Sequence, residues 1–207
     1  MTRLVLATTN PDKVREIRAL LAGIAVDIVG LDALPAVDPP VEDGLTFEDN
    51  AALKARYYAA ATGLPAIAED SGLEVDALGG VPGVESARFG GAGSSYPEKF
   101  ARLYEMLDRT GSRQSPARFV CALAVADRGA IVFATRGTVE GRISPEPRGA
   151  HGFGYDPIFY YPPEQRTLAE VSDEVKRAVS HRGDAFRRLA DWLVKHPSSA
   201  EGHGAAL

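Results

Sequence analysis

At 207 residues, 45% of them hydrophobic and 25% charged, the chain is long enough for one domain with a sizeable core or for two tightly joined lobes; a single chain-wide fold is expected. A formal net charge of -5 argues against broad binding to nucleic acid or to an anionic membrane, whose protein footprints are usually basic. Cys121 is the only cysteine, which excludes an internal disulfide and a cysteine-rich zinc site, and no segment approaches the roughly 20 apolar residues of a membrane span.

The N-terminal run Leu4 to Ala7 is too short for a signal peptide, so a soluble cytoplasmic protein is expected. Leu4 to Thr8 reads as a buried strand. Asn10-Pro11 then opens a helix, because Asn caps and Pro suits the first helical position, and Val14, Ile17, Leu20 and Leu21 give that helix an apolar face ending near Gly23. A short strand at Val26 to Val29 precedes a proline- and acid-rich loop, Pro35 to Gly44. Thr46-Phe47-Glu48-Asp49 resembles a capping box for a helix through Ala61, which Gly63 terminates. Pro65 to Glu69 reads as a second buried strand, which places Asp70 at a strand end.

Gly79 to Gly83 and Gly90 to Ser95 read as loops, the second as a flap, and Tyr96 to Asp108 as a helix. Arg118 to Ala126 and Ala130 to Thr138, joined by Asp127-Arg128-Gly129, predict an antiparallel hairpin and therefore a mixed sheet. A strand at Ile158 to Tyr161, helical turns within Thr167 to Val179 and an amphipathic helix from Asp184 to Lys195 complete an α/β domain over 1–196, with a loose tail at 197–207. In the run Phe119 to Leu123, Cys121 reads as a packing thiol.

Two polar sets stand out. Thr8, Thr9, Asn10, Pro11, Asp12 and Lys13 lie between a strand end and a helix N-terminus, where free backbone N–H groups favour phosphate, although an Asn-Pro cap needs no ligand to explain it. Glu42, Glu69 and Asp70 are candidate Mg²⁺ ligands, since that ion takes one or two carboxylates together with substrate phosphates; a solvated loop carboxylate is the plainer alternative. Lys54, Lys176 and Arg182 could neutralise a polyphosphate. In the second set, Phe153 between glycines can be offered to a planar ligand or packed in the core, and Ser180-His181-Arg182 supplies three different hydrogen-bonding groups for a base edge. A Ser/His/Asp hydrolase is set aside for want of a Gly-x-Ser-x-Gly elbow.

With these residues laid out, the sequence resembles the inosine triphosphate pyrophosphatase family, in its bacterial branch of dITP/XTP pyrophosphatases. The match runs from Leu4 to about Leu193 through Ala7-Thr8-Thr9-Asn10 with Lys13, Phe47 to Lys54, Glu69 to Leu73, Gly80 to Gly83 with Ser86-Ala87-Arg88, Phe153 to Pro157, and Ser180 to Gly183. The resemblance implies an elongated mixed α/β fold of two lobes around an active-site cleft, a homodimer, a need for Mg²⁺, and cleavage of ITP, dITP or XTP to monophosphate and pyrophosphate. It also implies that Thr8, Asn10, Lys13, Lys54 and Lys176 contact phosphates and that Glu42 and Asp70 organise metal. Asp70 would orient or deprotonate water with Ser71 in support. Phe153, in Phe153-Gly154-Tyr155-Asp156, would stack on the base, with Asp156, Ser180, His181 and Arg182 at its edge. Thr9 and Glu69 depart from the Gly and Asp that many relatives carry there. The competing readings are a pyrophosphatase for modified pyrimidine nucleotides and a nucleotide sensor without turnover.

Overall fold

The computed structural model describes residues 2–91 and 93–196; the expected tail at 197–207 and Ala92 of the expected flap lie outside the described residues. Its strands β1 (Thr2–Leu6), β2 (Val26–Gly30), β3 (Ala66–Val75), β4 (Pro116–Asp127), β5 (Ala130–Ile143), β6 (Phe159–Tyr161) and β7 (Arg166–Thr167) form a seven-stranded sheet in the order β2-β1-β3-β4-β5-β6-β7. β1 pairs in parallel with β2 and β3, whereas β5, β6 and β7 pair antiparallel, so the sheet is mixed as the hairpin predicted. Arg128 and Gly129 join β4 to β5 at φ values of 49° and 83°; two left-handed residues in succession are the geometry of a tight hairpin.

The helices are α1 (Pro11–Leu20), α2 (Phe47–Thr62), α3 (Tyr96–Asp108), α4 (Asp173–Val179) and α5 (His181–Lys195). Their starts follow local chemistry. Asn10 Oδ1 accepts from the N–H groups of Asp12 (3.0 Å) and Lys13 (3.2 Å), and Thr46 Oγ1 accepts from Asp49 N at 3.1 Å. α2 ends at Gly63, whose φ of 68° a side chain would strain.

Two expectations are corrected. β3 does not stop before Asp70 but runs on to Val75, so Asp70 sits within a strand. A Cβ on Gly72 would lie 2.3 Å from Ser86 Oγ and 2.6 Å from the Gly83 carbonyl oxygen, so the glycine serves a close approach within the continuing strand. The last helix begins at His181 rather than Asp184, because Ser180 ends α4 with extended backbone and the chain re-enters the helical region at once.

Two compact units share the strands. The first takes in the chain up to Asp70, Cys121–Gly137 and the described residues from Arg182 on, and its core packs Leu4, Leu6, Ile17, Ile67, Leu123, Phe186 and Leu189. The second comprises Ser71–Val120 and Thr138–His181, with a core of Leu73, Leu103, Leu107, Phe119, Ile143 and Phe159.

Candidate active site

Within the first unit, the end of β1, the start of α1, the segment before α2 and the middle of β3 bring the predicted phosphate and metal residues into two linked groups. Asp70 is buried and divides its carboxylate between two residues of α2. Its Oδ2 accepts from Asn50 Nδ2 at 3.0 Å, and its Oδ1 lies 3.5 Å from Lys54 Nζ. Lys54 Nζ also donates to Glu42 Oε2 at 2.7 Å, so one ammonium joins the two candidate metal carboxylates. Burial is the largest influence on Asp70 and raises its pKa above the ordinary aspartate value, against the pull of Lys54 and the Asn50 hydrogen bond. Burial would lower Lys54, but the charge of Asp70 and the hydrogen bond to Glu42 raise it, so it stays protonated.

The neighbouring group surrounds Glu69, which points to the face of β3 opposite Asp70, as consecutive strand residues do. Its buried carboxylate pairs with Lys13 Nζ at 2.8 Å, accepts from Cys121 Sγ at 3.2 Å, and lies 3.4 Å from Arg182 Nη2. Arg182, almost wholly buried, also holds Glu16 Oε2 at 2.7 Å. Burial acts to raise the Glu69 carboxyl, but the Arg182 guanidinium and then the Lys13 ammonium hold its pKa well below the usual carboxylate range. The Cys121 thiol is pushed well up, by burial first and by Glu69 second, so it remains protonated and donates.

In the second unit, a tight loop presents Phe153. Asp156 Oδ2 accepts from Phe153 N and from Lys176 Nζ, each at 2.7 Å, and Lys176 Nζ stands 4.3 Å from the centre of the Phe153 ring. Gly152, at φ 72°, is required here, since a Cβ would lie 2.2 Å from Asp156 Oδ2. Tyr155 is a core residue whose hydroxyl donates to the Ser86 carbonyl oxygen at 2.9 Å, with its ring against Tyr96 and Phe100. His181 stacks on Phe119 with ring centres 4.9 Å apart, and Ser180 is fully buried at the end of α4.

The sequence-derived residues therefore fall into a carboxylate–lysine centre (Lys13, Glu42, Lys54, Glu69, Asp70) and an aromatic–lysine centre (Phe153, Asp156, Lys176, Ser180, His181). Two of them also meet protein partners that the sequence did not suggest. Lys176 joins Asp156 and Phe153, and Arg182 joins Glu16 and Glu69. Asn50 and Glu16 escaped sequence reasoning because each looks like an ordinary polar residue on a helix. Only Asn50's place one turn before Lys54, on the same helical face, hinted at more.

Among the described residues no group of three or more His, Cys, Asp or Glu side chains could hold a metal ion. Glu42 and Asp70, brought to one ammonium, nonetheless supply the hard oxygen donors that Mg²⁺ takes when substrate phosphates complete its shell. Among the described residues no helix is long and apolar enough to cross a membrane.

A mixed α/β fold carries a buried aspartate between an amide and an ammonium, and a lysine at a helix N-terminus, groups whose chemistry suits a phosphate-bearing ligand. The chain belongs to the Ham1 family, whose model matches residues 4–192. It is 48% identical over 197 residues to the dITP/XTP pyrophosphatase of Yersinia pseudotuberculosis serotype I (strain IP32953), covering 93% of this chain and 98% of that protein. Among solved structures it resembles a HAM1 protein from Coxiella burnetii, with a TM-score of 0.86, 39% identity and coverage of 94% of this chain and 100% of that one. The Ham1 protein of Staphylococcus aureus is similar too, with a TM-score of 0.84, 37% identity and coverage of 94% and 99%.

Proposed function

We propose that this protein hydrolyses the non-standard purine nucleoside triphosphates ITP, dITP and XTP to the monophosphate and pyrophosphate, by Mg²⁺-assisted attack of water at the α-phosphorus. The observation that carries this reading is the buried Asp70 carboxylate, held by Asn50 and Lys54 beside Glu42 in a chain of the Ham1 family. A triphosphate repels an incoming nucleophile with its own charge, so catalysis consists chiefly of neutralising and positioning. Lys13 and Lys54 supply cationic charge for the phosphate chain, and the backbone N–H groups at the start of α1, with Thr8, Thr9 and Asn10, supply donors. Asp70 accepts the proton of the attacking water; burial raises its pKa and so makes its carboxylate a better base than an exposed aspartate. Mg²⁺, held by Glu42 and Asp70, would withdraw charge from the phosphoryl oxygens and lower the pKa of bound water. Glu69 is committed to Lys13 and Arg182, which supports a role in fixing Lys13 rather than in holding metal.

The base would stack on Phe153. Lys176, held by Asp156 against that ring, is thereby suited to the base end rather than to the phosphates, as a donor toward a 6-oxo group. An adenine amino group presented to the same donor would leave a buried polar group unpaired, at about 1–3 kcal/mol. The resemblance extends to a homodimer, which light scattering of the purified protein checks; the cytoplasmic location expected from the sequence is checked by fractionation of cells. The function itself is tested by incubating the protein with Mg²⁺ and, separately, ITP, XTP, dITP, ATP, GTP and dTTP, with phosphate distinguished from pyrophosphate. Monophosphate and pyrophosphate from the first three, with the others spared, are expected. Tight binding without turnover would make the protein a sensor, and cleavage of the pyrimidine alone would move it to another substrate class.

A further inference from the structure

Asn50 is 1% exposed on α2, and both ends of its amide are used. Its Nδ2 donates to Asp70 Oδ2 at 3.0 Å, and its Oδ1 accepts from Gly44 N at 2.9 Å, two residues beyond Glu42. Lys54, one helical turn further on, reaches the same two pieces of chain through Asp70 Oδ1 (3.5 Å) and Glu42 Oε2 (2.7 Å). One face of α2 thus ties β3 to the Glu42 segment twice, once by a neutral amide and once by a cation.

We infer that Asn50 is a positioning residue for the reaction proposed above, setting the orientation of the Asp70 carboxylate and its spacing from Glu42. This inference rests on that reading for its catalytic consequence, and on geometry for the rest. A side-chain amide is neutral and offers a donor and an acceptor from one rigid plane, here one to each partner. Neutrality matters, because a charged replacement would change the net charge of the centre that must hold a cation. An aspartate would set a second carboxylate against Asp70, while an alanine would leave both Gly44 N and Asp70 Oδ2 without this partner. The Glu42 segment is shaped to the same contact: a Cβ on Gly44 would lie 2.6 Å from Asn50 Oδ1 and 2.8 Å from Asp49 Cβ. Glycine at 44 therefore serves the approach of the amide, and an alanine there strains the brace from its far side without altering Asn50, Asp70 or Glu42.

The test compares wild type, Asn50→Ala, Asn50→Asp and Gly44→Ala by steady-state kinetics on ITP with Mg²⁺, by calorimetric titration of the nucleotide-free protein with Mn²⁺, and by thermal unfolding. Loss of such a supporting contact is expected to lower kcat about 10- to 100-fold with KM for ITP nearly unchanged, and to weaken Mn²⁺ binding to a similar degree. Asn50→Asp should differ from Asn50→Ala by binding Mn²⁺ at least as well as wild type while still losing kcat. Folded Asn50→Ala and Gly44→Ala proteins that keep kcat and Mn²⁺ affinity within a few-fold of wild type would overturn the inference, as would a loss confined to KM. Should Asn50→Ala fail to fold, Gly44→Ala and Asn50→Asp give the decision. A wild type inactive on ITP would remove the proposed function and not the positioning role, which the Mn²⁺ titration reads directly.

Discussion

Replacing Arg182 with leucine removes the cation that holds the half-buried Glu16 carboxylate at 2.7 Å and the buried Glu69 carboxylate at 3.4 Å. Taking one partner from a buried ion pair costs about 3–5 kcal/mol, because the charge left behind is still out of water. Lys13 remains 2.8 Å from Glu69 with its side chain 20% exposed, so part of the charge stays compensated and the lower end, about 3 kcal/mol, is expected. For a chain of this size that is a fall in Tm of about 6–12 °C. The pH dependence follows from the depressed pKa of Glu69: a carboxylate stabilised in the fold contributes above its unfolded pKa, and the contribution is lost as pH falls through the lower folded value. The gap between wild type and Arg182→Leu should therefore be widest near neutral pH and narrow in acid. Glu69→Gln on the Arg182→Leu background should recover part of the loss, since the stranded charge is then gone. Urea unfolding at a series of pH values measures all three. A loss below about 1 kcal/mol, or a gap that grows as the pH falls, would refute the compensated-cluster argument.

Asp70→Asn should nearly abolish ITP turnover without lowering Tm. Its raised carboxyl pKa means that the ionised form is disfavoured in the fold, a cost that grows as pH rises from the unfolded pKa and is complete above the higher folded one; activity within a few-fold of wild type would take Asp70 out of the chemical step. Phe153→Ala should raise KM for ITP about 5- to 150-fold, the equivalent of about 1–3 kcal/mol of stacking, and an unchanged KM in steady-state assays would assign the ring to packing. Gly72→Ala should destabilise by about 1–3 kcal/mol, because its Cβ meets the Gly83 carbonyl oxygen at 2.6 Å; a Tm equal to wild type would show that β3 and the Ser86 turn part without strain.

Local chemistry made most of the fold legible. Asn10-Pro11, Thr46 and Gly63 mark helix ends by capping and by φ, and these interactions span only a few residues. The misses arise where a distant part of the chain decides. β3 continues through Gly72 because Ser86 and Gly83 approach it, and β7 has two residues, too few for any period to show. The site divides in the same way. Lys13, Lys54, Asp70 and Phe153 could be picked out as chemically capable side chains. The partners that orient them could not: Asn50 meets Asp70, and Glu16 meets Arg182, only once the chain has folded, and the same folding draws Arg182 to Glu69 and Lys176 to Asp156.

The most direct test of water attack at the α-phosphorus is hydrolysis of ITP in ¹⁸O-enriched water with Mg²⁺, followed by ³¹P spectroscopy of the products. The account predicts one ¹⁸O in the inosine monophosphate and unlabelled pyrophosphate, with ATP left intact under the same conditions. Label in pyrophosphate or in free phosphate, or equal turnover of ATP, would contradict it.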